Sequence, residues 1–375
     1  MRIGKLPESA LMRSVLGQLY AELPERLEQY GADCAAFGCA VSSKKDGMDD
    51  RQTSAGLTIQ RPEYVVTVYT AVGPIPGFGN QPGVSVVAAA NNLAAGGAVP
   101  QAITVHAVLP PSFEEHELKK AMKELVKAAE VCGMQVICGH TEVSDAVDRP
   151  LYQMTGIGQV CIEDANQRPM LGFSGNVGWQ QNKGQAGAGW TQKKLCPGQA
   201  LVVTKWIALA GTVALAEAHE EELHARFPLF LTDQAKAWKP QLSVVRDAQI
   251  ASGIDGCAMH DLSQGGIFGA LWEMAQRAGV GLEVDLKRIP IRQETVEICE
   301  YFDINPYGLY SAGALLVGTS QPEALVQALI GHGIPAAVIG RVTDGNDRII
   351  RNGEEVRFLD RPQQDEWYRR FGGKE

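Results

Sequence analysis

Short apolar runs alternate with amphipathic segments along most of the chain, a pattern typical of a mixed α/β protein. Runs rich in β-branched or small apolar residues predict strands at 34–41, 64–72, 103–109, 134–139 and 151–162. Residues 83–100 are apolar nearly all round and predict a buried helix that ends at glycines and Pro100. Residues 8–30 and 114–131 predict amphipathic helices, and Ser112 with Glu115 predicts a capping box for the second of these.

The pattern breaks between residues 172 and 194. This stretch carries glycines with Gln and Asn and few aliphatic residues, so it cannot pack a core and predicts a long loop. Helices and strands alternate again beyond it, and a chain of 375 residues is long enough for two domains. We predict an N-terminal domain at 1–165, a glycine-rich linker at 166–195 and a C-terminal α/β domain at 196–375.

Composition narrows the function classes. The net charge of −9 disfavours binding to nucleic acid or to an anionic membrane surface. The chain has neither an apolar run of the roughly 20 residues that span a bilayer nor a signal-peptide pattern at its start, so we expect a cytoplasmic protein. The eight cysteines form no C-x-x-C pair, which favours buried thiols over a zinc site or a disulfide framework.

Four segments place polar residues where an apolar core would exclude them. They are YGADCAAFG (30–38), AANNLAAGG (89–97), CGHTEVS (138–144) and MHDLSQGGIFGAL (259–271). Asp33 in the first segment either orders a turn through its side chain or belongs to a functional site. Asn91 and Asn92 lie in the middle of the predicted buried helix, where their amides need partners, so they form a structural network or meet a ligand. In the third segment, His140 and Glu142 follow a predicted strand.

The fourth segment predicts a corner between a strand and a helix. His260 and Asp261 end the strand, and Ser263 is a candidate N-cap. Gly265 and Gly266 would leave bare N–H groups at the positive end of the helix dipole, which favours phosphate binding. The alternative is a corner without a ligand, in which these polar groups hydrogen-bond to one another.

Lys205 has the same ambiguity. It follows the strand that begins the second domain, close to Gly211 and Thr212. It is either a phosphate contact or a surface lysine whose stem lies along apolar groups. The chain has no Walker-type P-loop, no G-x-S-x-G elbow and no H-E-x-x-H motif that would decide the question.

Taken together and in order, these segments resemble the superfamily of aminoimidazole ribonucleotide synthetase (PurM), and most of all the hydrogenase maturation factor HypE and its archaeal paralogues. The resemblance runs from about residue 2 to residue 340. Its segments are GADCAA, NNLAAGGAVP, GHTEVSDAVDRP, TKWIALAGTVALA and HDLSQGGIFGALWEMAQRAGVGLEVD. It implies two α/β domains, the first of which pairs with its twin in a homodimer to make a β-barrel-like core. It also implies ATP in a cleft between domains and subunits, with Mg²⁺ on a ring of aspartates.

This chain departs from the family pattern at the implied metal site. Asp33 and Asp261 remain as the candidate metal ligands, but Tyr69, Asn92 and His140 stand where the family has aspartates. Mg²⁺ prefers oxygen ligands, so Mg²⁺ binding is in doubt. The chain also lacks the terminal Cys of HypE and the early reactive Cys of selenophosphate synthetases, so neither of those activities is expected.

The resemblance therefore predicts a homodimer that binds ATP or a related nucleotide between its domains, at an altered metal site. If the protein is catalytic, the resemblance implies an ATP-dependent phosphoryl-transfer or dehydratase-type enzyme. His140 would be the acid or base, because imidazole titrates near neutrality, and Glu142 would supply a displaced carboxylate. The remaining predicted nucleotide contacts are Asn91, Asn92, Lys205, His260, Ser263, Gly265 and Gly266. The alternative is a non-catalytic relative that binds a small ligand or a partner protein. An acidic interaction scaffold would leave the glycine-rich segments unexplained.

Overall fold

The computed structural model describes residues 77–78, 81–159, 193–254 and 256–372, together with the backbone of residues 35–37 and 64–69. The predicted helix at 8–30, Asp33 and the predicted loop as far as residue 192 lie outside these ranges. Within them the chain forms two β-sheets, each with its own helices. This arrangement confirms the predicted mixed α/β class.

The first sheet has five strands in the order β1–β2–β5–β3–β4. They are β1 (Ala35–Phe37), β2 (Tyr64–Tyr69), β3 (Val99–Leu109), β4 (Gln135–Val143) and β5 (Leu151–Gln159). Neighbouring strands are antiparallel except β3 and β4, which are parallel. A parallel pair needs a crossover connection, and the helix α2 (Glu115–Val131) supplies it.

Two helices cover one face of this sheet. α1 (Pro82–Ala95) and α2 pack against alternate residues of β3, among them Ile103, Val105 and Ala107. The intervening residues of β3 point to the opposite face and are only partly buried. Among the described residues, the sheet therefore has one face packed by helices and one face that no helix covers, called the open face below.

The second sheet has seven strands in the order β12–β11–β8–β10–β6–β9–β7. They are β6 (Ala200–Thr204), β7 (Ala258–Asp261), β8 (Gly281–Asp285), β9 (Leu315–Thr319), β10 (Ala336–Thr343), β11 (Arg348–Asn352) and β12 (Glu355–Phe358). All neighbouring strands are antiparallel except β8 and β11. The central strands β6 and β9 are almost wholly apolar and buried, as strands covered on both faces should be.

Eight further helices belong to this second part of the chain. They are α3 (Leu209–Ala218), α4 (Glu220–Arg226), α5 (Leu229–Lys236), α6 (Val245–Ser252), α7 (Gly266–Ala278), α8 (Gln293–Tyr301), α9 (Pro322–Gly331) and α10 (Glu366–Phe371). Short 3₁₀ helices lie at Lys239–Leu242 and Leu286–Arg288. α7 packs on one face of the sheet, and α6 and α9 pack on the other.

Helix α1 connects the two parts of the molecule. Its residue Val84 packs in a core formed mainly by α3, α5 and α8, whereas Ala94 and Ala95 pack with α6 and the second sheet. The remaining apolar residues of α1 cover the first sheet. These contacts on several sides explain why the helix is apolar nearly all round.

Helix starts differ from the sequence prediction. The capping box of α2 is formed by Glu114 and Glu117, with the Glu114 N–H donating to Glu117 Oε2 at 3.1 Å, so the Ser112–Glu115 prediction was wrong. The N-cap lies two residues later than the predicted Ser112, and Glu can act in the reciprocal contact as Ser does. In the part of the chain that the structure describes, no helix is both long and apolar enough to cross a membrane.

Candidate functional site

The polar residues of CGHTEVS lie within a strand rather than after one. β4 continues through Val143, four residues beyond the end predicted from the sequence. It lies at one edge of the described sheet, and all its residues are exposed. Side chains alternate along a strand, so Cys138, His140 and Glu142 share a face. It is the open face, because His140 pairs with His106 of β3, which points away from the helices.

Glu142 lies between His106 and His140 on this open face, near both rings. The two imidazole rings meet edge to face with their centroids 5.3 Å apart. Nε2 of His140 lies 3.6 Å from Oε2 of Glu142, and Nε2 of His106 lies 3.8 Å from Oε1 of the same carboxylate. Each imidazole therefore faces its own carboxylate oxygen, at a distance longer than a hydrogen bond.

The ring nitrogen of His106 stands out in this group. The side chain of His106 is 44% exposed, yet its Nε2 atom is itself buried and has no hydrogen-bond partner among the described residues.

Sequence reasoning identified His140 and Glu142 but missed His106. The signal was present in ITVHAVL, where a histidine interrupts an otherwise apolar or β-branched run. Only the register of β3 on β4 shows that His106 lies directly opposite His140. That register depends on a bulge near Ile103, which the pattern of residues does not reveal.

Asn91 is fully buried and joins the two parts of the molecule. Its Nδ2 donates to the carbonyl oxygen of Leu242 at 2.9 Å, and its Oδ1 accepts from the Val244 N–H at 2.8 Å. Asn92 is half-buried and donates back to the Ala88 carbonyl at 3.0 Å. Asn91 thus forms the structural network that was one of the two alternatives for this pair.

Lys205 is buried, not a surface lysine. Its ammonium donates to the carbonyl oxygens of Ser243 at 2.7 Å and Gln241 at 3.2 Å, and to Asp247 Oδ2 at 3.2 Å. Burial lowers the pKa of Lys205, and the charge of Asp247 opposes that shift. The hydroxyl of Thr204 donates to the other carboxylate oxygen at 2.6 Å. All three ammonium donors have protein acceptors, which leaves none for a phosphate.

His260 and Asp261 form a satisfied corner at the end of β7. Both residues are buried. His260 Nδ1 lies 2.9 Å from the carbonyl oxygen of Asp261, and its Nε2 lies 3.3 Å from Oε2 of Glu273. These contacts agree with the structural alternative for this segment.

The N-terminus of α7 is bound by a carboxylate of the same chain. Gly265, in the left-handed conformation, is the N-cap residue rather than Ser263, and its N–H donates to Asp365 Oδ2 at 2.7 Å. Gly266 also has a positive φ, and a Cβ there would lie 2.5 Å from the Tyr307 carbonyl oxygen. Burial raises the pKa of Asp365 to about 6, although backbone N–H donors oppose that shift. A carboxylate therefore stands where a phosphate was predicted.

Contacts thus place the predicted residues in separate groups. His140 lies with Glu142 on the open face, Asn91 and Lys205 bind the segment 241–244, and His260 lies with Asp261. Asp33 lies outside the described residues, and Tyr69 is described by its backbone alone.

The donor atoms on the open face do not fit Mg²⁺. Two imidazole nitrogens and one carboxylate make up the group of His106, His140 and Glu142, whereas Mg²⁺ requires oxygen ligands in near-ideal octahedral geometry. The Mg²⁺ implied by the resemblance is not supported by these residues.

A second cluster lies on the C-terminal domain. One ligand atom each from Glu220, His224 and Asp233 fall within 4.8 Å of one another. The ammonium of Lys236 lies among them, 2.5 Å from Glu220 Oε1 and 3.4 Å from Asp233 Oδ1. A cation of the chain itself therefore already neutralises this cluster.

Comparison with known proteins gives relatives that agree on one family. Residues 64–160 match the N-terminal domain, and residues 196–351 the C-terminal domain, of the AIR synthase related protein family. A hydrogenase expression/formation protein of Methanocaldococcus jannaschii is 26% identical over 317 residues, which cover 81% of this chain and 83% of that protein. The carbamoyl dehydratase HypE of Rhodobacter capsulatus is 26% identical over 297 residues, which cover 77% and 76%.

Solved structures share the fold along nearly the whole chain. One is from a crystal structure of the HypE–HypF complex, with a TM-score of 0.67 and 20% identity, covering 94% of this chain and 100% of that one. Another is the crystal structure of HypE in complex with ATP, with a TM-score of 0.58 and 17% identity, covering 94% and 96%. At these identities the likeness is one of fold.

Proposed function

The chain belongs to the PurM/HypE-like superfamily of AIR synthase related proteins, and from that premise we propose that it binds ATP or a related nucleotide in the cleft between its domains. One observation on this chain carries the proposal. His140 and Glu142 lie together on the open face of β4, at the position where the resemblance implies a metal-binding carboxylate. The crystal structure of HypE in complex with ATP, which shares this fold, supports the choice of ligand.

The chemical step we propose is phosphoryl transfer. A hydroxyl or carboxylate oxygen of the acceptor attacks the terminal phosphorus, the bond from that phosphorus to the bridging oxygen breaks, and ADP leaves. His140 takes the proton of a hydroxyl acceptor, and Glu142 stabilises the imidazolium that forms. The half-exposed position of both side chains leaves them accessible to a substrate.

Residues of the second domain have a smaller part in this proposal. Lys205 and the N–H of Gly265 are not assigned to phosphate, because protein oxygens occupy their donors. Asp261 stays a predicted metal ligand and His260 a predicted nucleotide contact. In the first domain, Asp33 and Asn92 stay predictions for the same two roles. The cytoplasmic location also stays a prediction.

Nucleotide binding can be measured directly by isothermal titration of ATP and ADP, with and without Mg²⁺ or Mn²⁺. We expect binding to the wild-type protein and weaker binding of ATP to His140→Ala. The matched control is His116→Ala, since His116 is an exposed histidine beside Glu114 in α2, away from the open face. An absence of ATP and ADP binding under all these conditions would refute the proposal.

A non-catalytic relative is the second candidate function. The occupied donors of Lys205 and Gly265 favour it, because the chain fills two predicted phosphate contacts with its own groups. ADP release with saturating Mg²⁺ or Mn²⁺ separates the two candidates. Release by the wild-type protein that is lost in Asp33→Ala and His140→Ala supports an enzyme, whereas equal background in all three supports binding alone.

We also propose that the chain forms a homodimer through the first sheet. Among the described strands β4 lies at an edge of the sheet, with no described strand on its outer side, and Val136, Ile137 and Val143 are exposed along it. A long exposed edge with apolar side chains invites pairing with another strand.

A further inference from the structure

We propose that the guanidinium of Arg292 binds an anionic oxygen group, a carboxylate or a phosphate, on the substrate that accepts the phosphoryl group. This inference deepens the proposed function, on which it rests for the role of the bound molecule as acceptor. Binding of the anion itself needs no nucleotide and can be measured alone.

Two tryptophans hold the side chain of Arg292. This residue directly precedes α8, and its guanidinium carbon lies 3.7 Å from the centre of the Trp206 ring and 5.6 Å from that of Trp238. The shorter distance is a van der Waals contact, at which a guanidinium gains cation–π attraction from the indole. The indole covers one face of the guanidinium and leaves the edge, which carries the N–H donors, for an acceptor.

The N–H donors of Arg292 have no acceptor in the part of the chain that the structure describes. Arg292 forms neither a hydrogen bond nor an ion pair with a described residue. Its Nε atom is buried, whereas the side chain as a whole is only half-buried and its two terminal nitrogens reach the surface. A guanidinium stays charged at every physiological pH, so these two nitrogens form a fixed, accessible cation.

Another arginine shows a stack of the same kind that the chain completes by itself. Arg348 is buried, and its guanidinium carbon lies 3.9 Å from the centre of the Trp272 ring. One of its terminal nitrogens, Nη2, donates to Gln276 Oε1 at 2.8 Å. Both arginines stack on an indole, but among the described residues only Arg348 receives a protein acceptor. Stacking alone therefore does not account for the accessible donors of Arg292.

The loop that carries Trp206 is fixed on both sides. Lys205 and Ala208 have φ angles of 53° and 57°, in the left-handed region that residues other than glycine rarely adopt. Such conformations persist where surrounding contacts hold them. Here Lys205 donates to the segment 241–244, and the N–H of Ala208 donates to the Ser311 hydroxyl. The indole is therefore a rigid support, and an anion would meet donors that are already in position.

The position of Arg292 agrees with a substrate that meets ATP between the domains. Trp238 directly precedes the 3₁₀ helix Lys239–Leu242, whose last carbonyl oxygen accepts from Asn91 of the N-terminal domain. Arg292 thus lies beside the junction of the two domains. Paired guanidinium donors match the two oxygens of a carboxylate or a phosphate, so the acceptor we infer is an acid or a phosphate ester rather than a neutral molecule.

NMR titration of the full-length protein with inorganic phosphate, and separately with acetate, tests the inference. Chloride at the same ionic strength reports the effect of salt alone. The reporter is the indole N–H signal of Trp206, identified among the six tryptophans by its loss in Trp206→Phe. We expect a saturable shift with phosphate or acetate in the wild type, and the anion that binds more tightly identifies the acceptor as an acid or a phosphate ester. The remaining indole signals show whether each variant is folded.

Variants of one arginine assign the shift to its guanidinium. Arg292→Lys should bind the anion roughly tenfold more weakly, because lysine keeps the charge but loses the paired donors. Arg292→Gln should show no saturation. Arg288→Gln is the matched control and should bind as the wild type does, since Arg288 is an exposed arginine beside Asp285. A shift that chloride reproduces, or one that persists unchanged in Arg292→Gln, would overturn the inference.

Titration with ATP separates this inference from the proposed function. Arg292→Lys should bind ATP as tightly as the wild type does. Loss of ATP binding in that variant would place the nucleotide rather than the acceptor at Arg292 and would overturn the inference too. Saturable binding of phosphate or acetate at Arg292 in a protein that binds no nucleotide would support the anion site and refute only the proposed function.

Discussion

Asp365 shows how one residue can replace an expected ligand. Its carboxylate accepts from the N–H of Gly265 and from the N–H of Trp367 at 2.9 Å, and it is almost fully buried. A helix N-terminus attracts an anion whether it comes from a ligand or from the chain. The donors that a phosphate would use at α7 are therefore satisfied internally, at the cost of burying a carboxyl group.

The burial of the Asp365 carboxyl group predicts a stability that depends on pH. The pKa of Asp365 is raised from 3.8 to about 6, so the folded state favours the protonated carboxyl and loses stability as pH rises through this interval. Relative to Asp365→Asn, the wild-type free energy of unfolding should fall by about 2 kcal/mol between about pH 4.5 and pH 7.5. Urea unfolding of both proteins at the two pH values measures the difference. Parallel pH profiles would contradict the raised pKa.

At the residue scale, the sequence identified which side chains could be functional, but not which residues they contact. His140 and Glu142 were recognisable because polar residues interrupt an apolar strand pattern. His106 and Asp365 were not, because their partners lie 34 and 100 residues away and become neighbours only through tertiary structure. Conversely, the sequence predicted an accessible Lys205, because lysines are rarely buried unless they are paired. Its partner Asp247 cannot be recognised from the sequence.

At the element scale, β4 carries both the candidate site and an unpaired edge. Its exposed apolar residues lie in the same strand as His140 and Glu142. Strand existence was predictable from MQVICG, but its extent was not, since His, Thr and Glu are poor guides to where a strand ends. The helix prediction for 83–100 found α1 but included the first residues of β3, because the glycines before Val99 gave only an approximate stop.

Homodimer formation through β4 is testable with one charged substitution. Ile137 is 55% exposed at this edge, so Ile137→Lys should shift the protein from dimer to monomer by placing a charge in the apolar interface. Ile330→Lys is the matched control, because Ile330 is 57% exposed on α9 in the other part of the molecule. Light scattering coupled to size exclusion gives the masses. A monomeric wild type, or a dimer that survives in Ile137→Lys, would disprove pairing through this strand.

On the scale of the whole molecule, the segment 241–244 joins the two sheets. Asn91 of α1 holds it from the N-terminal side, and Lys205 after β6 holds it from the C-terminal side. The sequence predicted two α/β domains from the changes in residue pattern along the chain. It did not predict this junction, because both side chains bind backbone atoms. A sequence does not show which backbone atoms will lie near a given side chain. The same residues were predicted as nucleotide contacts, and stability measurements can separate the two roles.

Lys205→Met should lower stability without changing nucleotide affinity. The substitution keeps the length of the side chain but leaves Asp247 buried without its cation, which should cost about 3 kcal/mol. The double variant Lys205→Met/Asp247→Leu should recover much of that loss, since it removes both charges. Denaturant unfolding measures the stabilities, and titration with ATP below the unfolding transition measures affinity. If the single variant keeps its stability but loses ATP binding, Lys205 contacts the nucleotide. A loss of stability with unchanged affinity would show that the chain uses this lysine to fix the geometry between its domains.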